Sequence, residues 1–219
     1  MTKVAPNKPL LIMLYGFPGA GKSYFARQLG EQLQAAHVHG DRIRSELFEQ
    51  PRYDKEENAV ITQLMDYMTH EFLSAGISVL YDTNAMRQSQ RLALRETARR
   101  TRAKPLLVWL QIDPESAMLR ATNRDRRHMD DKYSAPIDQH TFEDIASHMQ
   151  NPNSAEDYIV ISGKHSFPTQ SGAVFKKLRE IGLLGADTSQ KVVKPGLVNL
   201  VPNPMAGRVD MSRRNIVIR

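Results

Sequence analysis

A chain of 219 residues, 41% of them hydrophobic, is long enough for one α/β domain of ordinary size with a modest appendage, and nothing in it calls for a second core. It has no cysteine, which removes disulfides, thiolate chemistry and Cys-ligated zinc; a metal must sit on oxygens or histidines, and a hard cation such as magnesium is favoured. The net charge is +6, no window approaches the roughly 18 to 20 consecutive apolar residues of a membrane span, and "MTKVAPNKPL" lacks the apolar core of a signal peptide, so a soluble, cytoplasmic protein with no membrane partner is expected.

Five apolar, strand-like runs alternate with stretches of helical period, the pattern of a parallel sheet covered by helices. The first run, "LLIMLY" (10–15), fits a strand buried on both faces, as do "LLVWLQI" (106–112) and "YIVIS" (158–162). After the first run come Gly16, Gly21, Lys22 and Ser23 in the spacing G-x-x-x-x-G-K-[ST], then the helical stretch "YFARQLGEQLQAA" (24–36). A strand before and a helix after are the context in which this spacing binds phosphate. Glycines let successive N–H groups turn toward phosphate oxygens, and the helix adds the positive end of its dipole. Gly16, Pro18, Gly19, Ala20, Gly21, Lys22, Ser23 and Tyr24 are the expected nucleotide contacts, with Lys22 on the β and γ phosphates and the Ser23 hydroxyl on magnesium.

The second strand, "HVHG" (37–40), leads into "DRIRSELF", with Asp41 at the sheet edge and Arg44 three residues on. The carboxyl ends of such strands face the ligand crevice. A carboxylate there can take the proton of an acceptor hydroxyl, and a neighbouring arginine can bind an anionic group on the acceptor. Asp41 equally suits the cap of the helix that follows. Next, "ENAVITQLMDYMTHEFLSAG" (57–76) reads as a helix with Val60, Leu64, Met68 and Leu73 on its core-facing stripe. The third strand, "ISVLY" (77–81), runs into Asp82, Thr83 and Asn84, where Asp82 stands in the place of a metal-binding acid, or the three together make a turn.

The helix "QRLALRETARR" (90–100) and the fourth strand follow, then a helix after Pro114 that puts Arg120 and Arg124 on one face. Cations on a closing segment, about 120–138, can gather around a transferring phosphoryl group and exclude water, whereas a solvated charged helix is the plainer alternative. A strand and a helix complete a domain at 1–185. Beyond it the texture changes: residues 186–219 carry six Lys/Arg against two acids and only short strand-like pieces broken by Pro and Gly. They read as an extended basic tail that lies over the domain or reaches another copy in a homo-oligomer, with "RNIVIR" as an edge strand.

GFPGAGKS, Asp41-x-x-Arg44, "DTN" at 82–84 with Arg91 downstream, and paired lid arginines followed by "PID" at 136–138 together resemble the kinase domain of the phage-type polynucleotide 5′-hydroxyl kinase. They are also similar to the wider group of small P-loop kinases with AAA-type ATP-binding cores, including zeta-type toxins, gluconate kinase, adenylylsulfate kinase and antibiotic phosphotransferases. The likeness spans 10–149. It implies a P-loop NTPase three-layer α/β sandwich with a five-stranded, mostly parallel sheet and a helical lid, acting with ATP and Mg2+. By the same resemblance Lys22 stabilises the transferring group, Asp41 is the general base, Arg44 holds an acceptor phosphate, and Arg120 or Arg124 reaches the ATP phosphates.

The segment between Arg124 and Pro136 is longer than in the phage enzyme, which leaves Arg124, Arg126 and Arg127 as alternatives for that role. His39-Gly40-Asp41 is similar to the "DGD" of adenylylsulfate kinase with its first acid replaced. The leading acceptor is a nucleic-acid 5′-hydroxyl, with a small-molecule or nucleotide-sugar kinase as the alternative. Outside catalysis, the alternative is an ATP-binding module whose tail binds RNA or protein.

Overall fold

All six residues of β1 (Leu10–Tyr15) are at most 1% exposed, because the strand runs down the middle of the sheet. The computed structural model describes residues 3–84, 86–125, 127 and 132–185. The strands stand in the order β2 (Ala35–His39), β3 (Ser78–Asp82), β1, β4 (Lys104–Gln111), β5 (Tyr158–Ser162), and every neighbouring pair is parallel. This is the α/β fold of the P-loop kinases, a five-stranded parallel sheet with flanking helices.

The side-chain period of two sends alternate β1 residues into two separate cores. Leu10, Ile12 and Leu14 pack with Phe25, Ala26 and Leu29 of α1 (Lys22–Gln32), Ala117 and Ala121 of α5 (Pro114–Thr122), Phe142 of α6 (Gln139–Ser147), and Val174 and Leu178 of α7 (Phe167–Glu180). Leu11, Met13 and Tyr15 pack with Ile61, Met65 and Leu73 of α3 (Lys55–Ser74) and Leu94 and Ala98 of α4 (Gln88–Arg100). A further helix, α2 (Gly40–Leu47), joins β2 to α3 at the carboxyl edge of the sheet.

Several elements differ from the sequence expectation. Ala35 and Ala36 belong to β2, where they pair with Ser78 and Val79, because the chain is already extended at Leu33. The buried stripe of α3 is Glu57, Ile61, Met65, Thr69 and Leu73, at intervals of four, while Val60 is 49% exposed. β5 is an edge strand, and Ile161 alone on it is buried. The helix expected to carry both lid arginines stops at Thr122, with Asn123 as its C-cap, so Arg124 lies beyond it. Between α5 and α6 the described residues form no helix or strand. No helix among the described residues is long and apolar enough to cross a membrane. The tail, 186–219, including "RNIVIR", lies outside the described residues, as does Arg126.

Candidate functional site

The carboxyl ends of β1, β2 and β3 bring three sequence-distant segments together. The loop after β1 turns through Gly16, Gly19 and Gly21, all at positive φ. A Cβ on Gly19 would overlap the Ala117 carbonyl of α5, whereas one on Gly21 would meet nothing within 4 Å. The loop therefore packs tightly against α5 at Gly19 and opens at Gly21, where α1 begins with no side-chain cap and no acid in its first turn. An uncapped N-terminus of this kind has N–H donors and a positive dipole end suited to an anion.

Lys22 folds back so that its ammonium donates to the Gly16 and Phe17 carbonyls at 2.9 and 2.8 Å. Burial is the largest influence on it and lowers its pKa; the Asp82 charge raises it, Arg124 lowers it and Asp41 raises it, and it is pushed down to about 8. Asp82, Arg124 and Asp41 are therefore each within electrostatic reach of Lys22. Tyr24 is 39% exposed on the first turn of α1.

Asp82, at the end of β3, is the most heavily bonded of them. Its Oδ1 accepts from Ser23 Oγ at 3.2 Å; its Oδ2 lies 2.8 Å from His37 Nε2 and 3.6 Å from His39 Nε2. Burial by itself would raise its pKa, but the His37 hydrogen bond, the His39 and His37 charges and the Ser23 hydroxyl hold it below the ordinary carboxylate value. Next to it, both polar atoms of Asn84 are buried with no partner among the described residues. Such groups rarely stay unpaired in a folded protein. Ser23 and Asp82 form a pair of hard oxygen donors beside the loop, a donor set that suits magnesium.

Asp41 is in the first turn of α2 and is not its cap, which is His39. Its Oδ2 instead accepts a 2.7 Å hydrogen bond from the hydroxyl of Ser134, in the segment between α5 and α6. Arg44 has a different environment from the one expected for an acceptor-phosphate ligand. It is 6% exposed, its guanidinium pairs with Glu57 and donates to Asn58 at 2.6 Å, and the Tyr53 ring lies 4.6 Å from its carbon. Glu57 also accepts from the Arg52 and Tyr53 backbone. Arg44 is thus neutralised inside the protein. Sequence reading missed this because Glu57 carries no motif; only its place at the start of the α3 buried stripe marks it.

The lid arginines separate. Arg124 donates to the Ala135 carbonyl at 2.7 Å, and its charge lowers the Lys22 pKa, so it is within electrostatic reach of that ammonium. Arg120 donates to the Gly163 carbonyl at 3.2 Å, after β5. Arg127 is held by Asp125. Asp138 of "PID" caps α6 by accepting from the Thr141 N–H. Arg91 is fully buried and bound to Glu156 at 2.7 and 3.0 Å, beneath Tyr15, which makes it a structural tie.

Several solved structures share this fold. Kti12 from Chaetomium thermophilum, in complex with ADP-AlF3, aligns with a TM-score of 0.61 at 18% identity over 80% of this chain and 100% of its own. A gluconokinase from Sinorhizobium meliloti 1021 gives 0.56 at 14% over 80% and 98%, and the APS kinase CysC of Mycobacterium tuberculosis, with AMPPNP and APS, 0.56 at 16% over 80% and 99%. Identities this low establish a common fold. The likeness is to small P-loop kinases in general and is not specific to the phage polynucleotide kinase. No curated protein matches in sequence. The family model described as "AAA domain" matches residues 11–152, which contain the loop, Asp41, Asp82 and both lid arginines, and the chain belongs to that family.

Proposed function

We propose that the protein is an ATP-dependent phosphotransferase with a small hydroxyl compound as acceptor. The observation that carries this reading is the placement of Asp82, Arg124 and Asp41 within electrostatic reach of Lys22, with Asp41 hydrogen-bonded to Ser134 of the segment between α5 and α6. The uncapped start of α1 and the folded-back Lys22 suit the phosphate chain of ATP, and the nucleotide complexes of Kti12 and CysC support that assignment. Asp41 accepts the proton of the acceptor hydroxyl as its oxygen attacks the γ phosphorus and the bond to the β-γ bridging oxygen breaks, leaving ADP. Lys22 and Arg124 balance the charge that moves from the γ to the β phosphate. Ser23 and Asp82 would hold Mg2+, which when bound supplies a counter-charge to the phosphates.

A nucleic-acid 5′-hydroxyl is the other reading within this chemistry. It needs a cation for the adjoining phosphate, and Arg44, the residue best placed along the chain, is paired with Glu57. This favours an acceptor without a required anion. Residues 1–185 form the catalytic unit in this reading, and 186–219 a basic appendage that nucleotide binding does not require.

Incubation with γ-labelled ATP, with separate pools of small hydroxyl metabolites and of 5′-hydroxyl RNA and DNA, tests the proposal. Label is expected in a small compound, with a KM nearly insensitive to salt. Label in polynucleotide with a steep salt dependence would replace the acceptor assignment. Release of label only as inorganic phosphate would overturn transfer itself.

A further inference from the structure

His37 and His39 alternate on β2 and so project on the same face, and the parallel register sets His39 opposite Asp82 on β3. Their rings stack at 5.3 Å with planes 2° apart. Donor atoms from all three residues lie within 4.8 Å of one another. His39 is 9% exposed, yet its Nε2, aimed at the cluster, makes no hydrogen bond. A buried ring nitrogen without a partner is costly and calls for a ligand.

We propose that His37 Nε2, His39 Nε2 and Asp82 Oδ2 form a binding site for a divalent transition-metal ion of zinc's class, separate from the Ser23 side of the same carboxylate. Metal–ligand bonds of about 2.0 to 2.1 Å in a tetrahedron separate donor atoms by about 3.3 Å. The observed 2.8 and 3.6 Å from Asp82 Oδ2 to the two imidazoles bracket that spacing, and the two imidazole donors lie within 4.8 Å of each other, so the ion draws the two rings together as it enters. Two imidazoles and one carboxylate suit Zn2+ far better than Mg2+, which prefers oxygens and retains its water. His37 keeps 27% of its side chain exposed and provides the path in.

Asp82 becomes a bridging carboxylate, with Oδ1 toward Ser23 and Oδ2 toward the imidazoles. Because His39 is the N-cap of α2, an ion there ties the start of the Asp41 helix to β3. No element of the inference depends on the kinase assignment, and its test needs neither nucleotide nor acceptor.

The full chain is dialysed against Zn2+ in excess Mg2+ at neutral pH. One zinc per chain is expected to be retained, and addition of zinc should shift the imidazole nitrogen resonances of two of the seven histidines. His37→Asn and His39→Gln should each weaken zinc binding at least about 100-fold, since even outer-shell partners of a metal are worth about 10 to 100-fold. His70→Ala and His148→Ala, at exposed histidines beside Glu71 and Asp144, should leave it unchanged. If His39→Gln does not fold, His37→Asn and the wild-type resonances decide. Failure of the wild type to retain zinc, resonance shifts at other histidines, or undiminished binding in folded His37→Asn would overturn the site.

Discussion

Ser134 donates a 2.7 Å hydrogen bond to Asp41 across 93 residues of sequence, joining the segment between α5 and α6 to the first turn of α2. The contact brings the proposed base under the proposed lid. The Ser134 hydroxyl occupies Oδ2 and orients the carboxylate, so Asp41 can accept the proton of the acceptor hydroxyl on Oδ1 while this bond stays in place. Asp41→Asn is therefore expected to lower kcat by about 10² to 10⁴-fold. Ser134→Ala should cost about tenfold, the worth of one hydrogen bond to a charged group. Steady-state kinetics with the identified acceptor measure both, and equal losses would deny Asp41 the role of base.

Lys22 makes nucleotide affinity depend on pH. The free protein loses the Lys22 proton near pH 8, and phosphate binding favours the charged form. Affinity should be level below about pH 8 and fall by up to about tenfold per unit above it. Arg124→Gln removes a charge that lowers the Lys22 pKa and should shift the falling limb to higher pH. Arg120→Gln, tied to Gly163, should leave the limb in place. Titration of a fluorescent ATP analogue between pH 6.5 and 9.5 would read each limb.

Arg44 separates two roles. In its pair with Glu57 it supports folding, and Arg44→Leu should lower the denaturant midpoint because Glu57 loses its counter-charge. The folded fraction should keep its acceptor KM to within a few fold. A large rise in acceptor KM at unchanged stability would return Arg44 to the acceptor site.

Arg91→Met tests the opposite assignment for a residue that belongs to the motif series. It leaves the buried Glu156 carboxylate without its partner, at a cost of about 3 to 5 kcal/mol. A fall in Tm of about 10 °C is expected by calorimetry. Nucleotide affinity of the folded protein should change little.

Chain-local features were legible from the residues. The phosphate loop, the five strands and the position of Asp41 follow from glycine spacing and from runs whose period is set by backbone geometry within a few residues. The same logic failed where a boundary depended on a neighbouring strand. Ala35 and Ala36 favour helix on their own, but pairing with Ser78 and Val79 makes them strand. It also failed on α3, where two stripes of similar apolarity compete and only packing selects Ile61 and Met65 over Val60.

The sequence by itself determined a glycine-rich loop ahead of a carboxylate at a parallel sheet edge, because each of those is coded by residues close together in the chain. Only the tertiary structure decided which charges are free to act. Arg44 is silenced by Glu57, Arg91 by Glu156, and Arg124 parts from Arg120 where α5 ends. The β2–β3 register brings His37 and His39 to Asp82, 45 residues from His37. Pairing between distant charges depends on strand register and helix ends, which no short motif records.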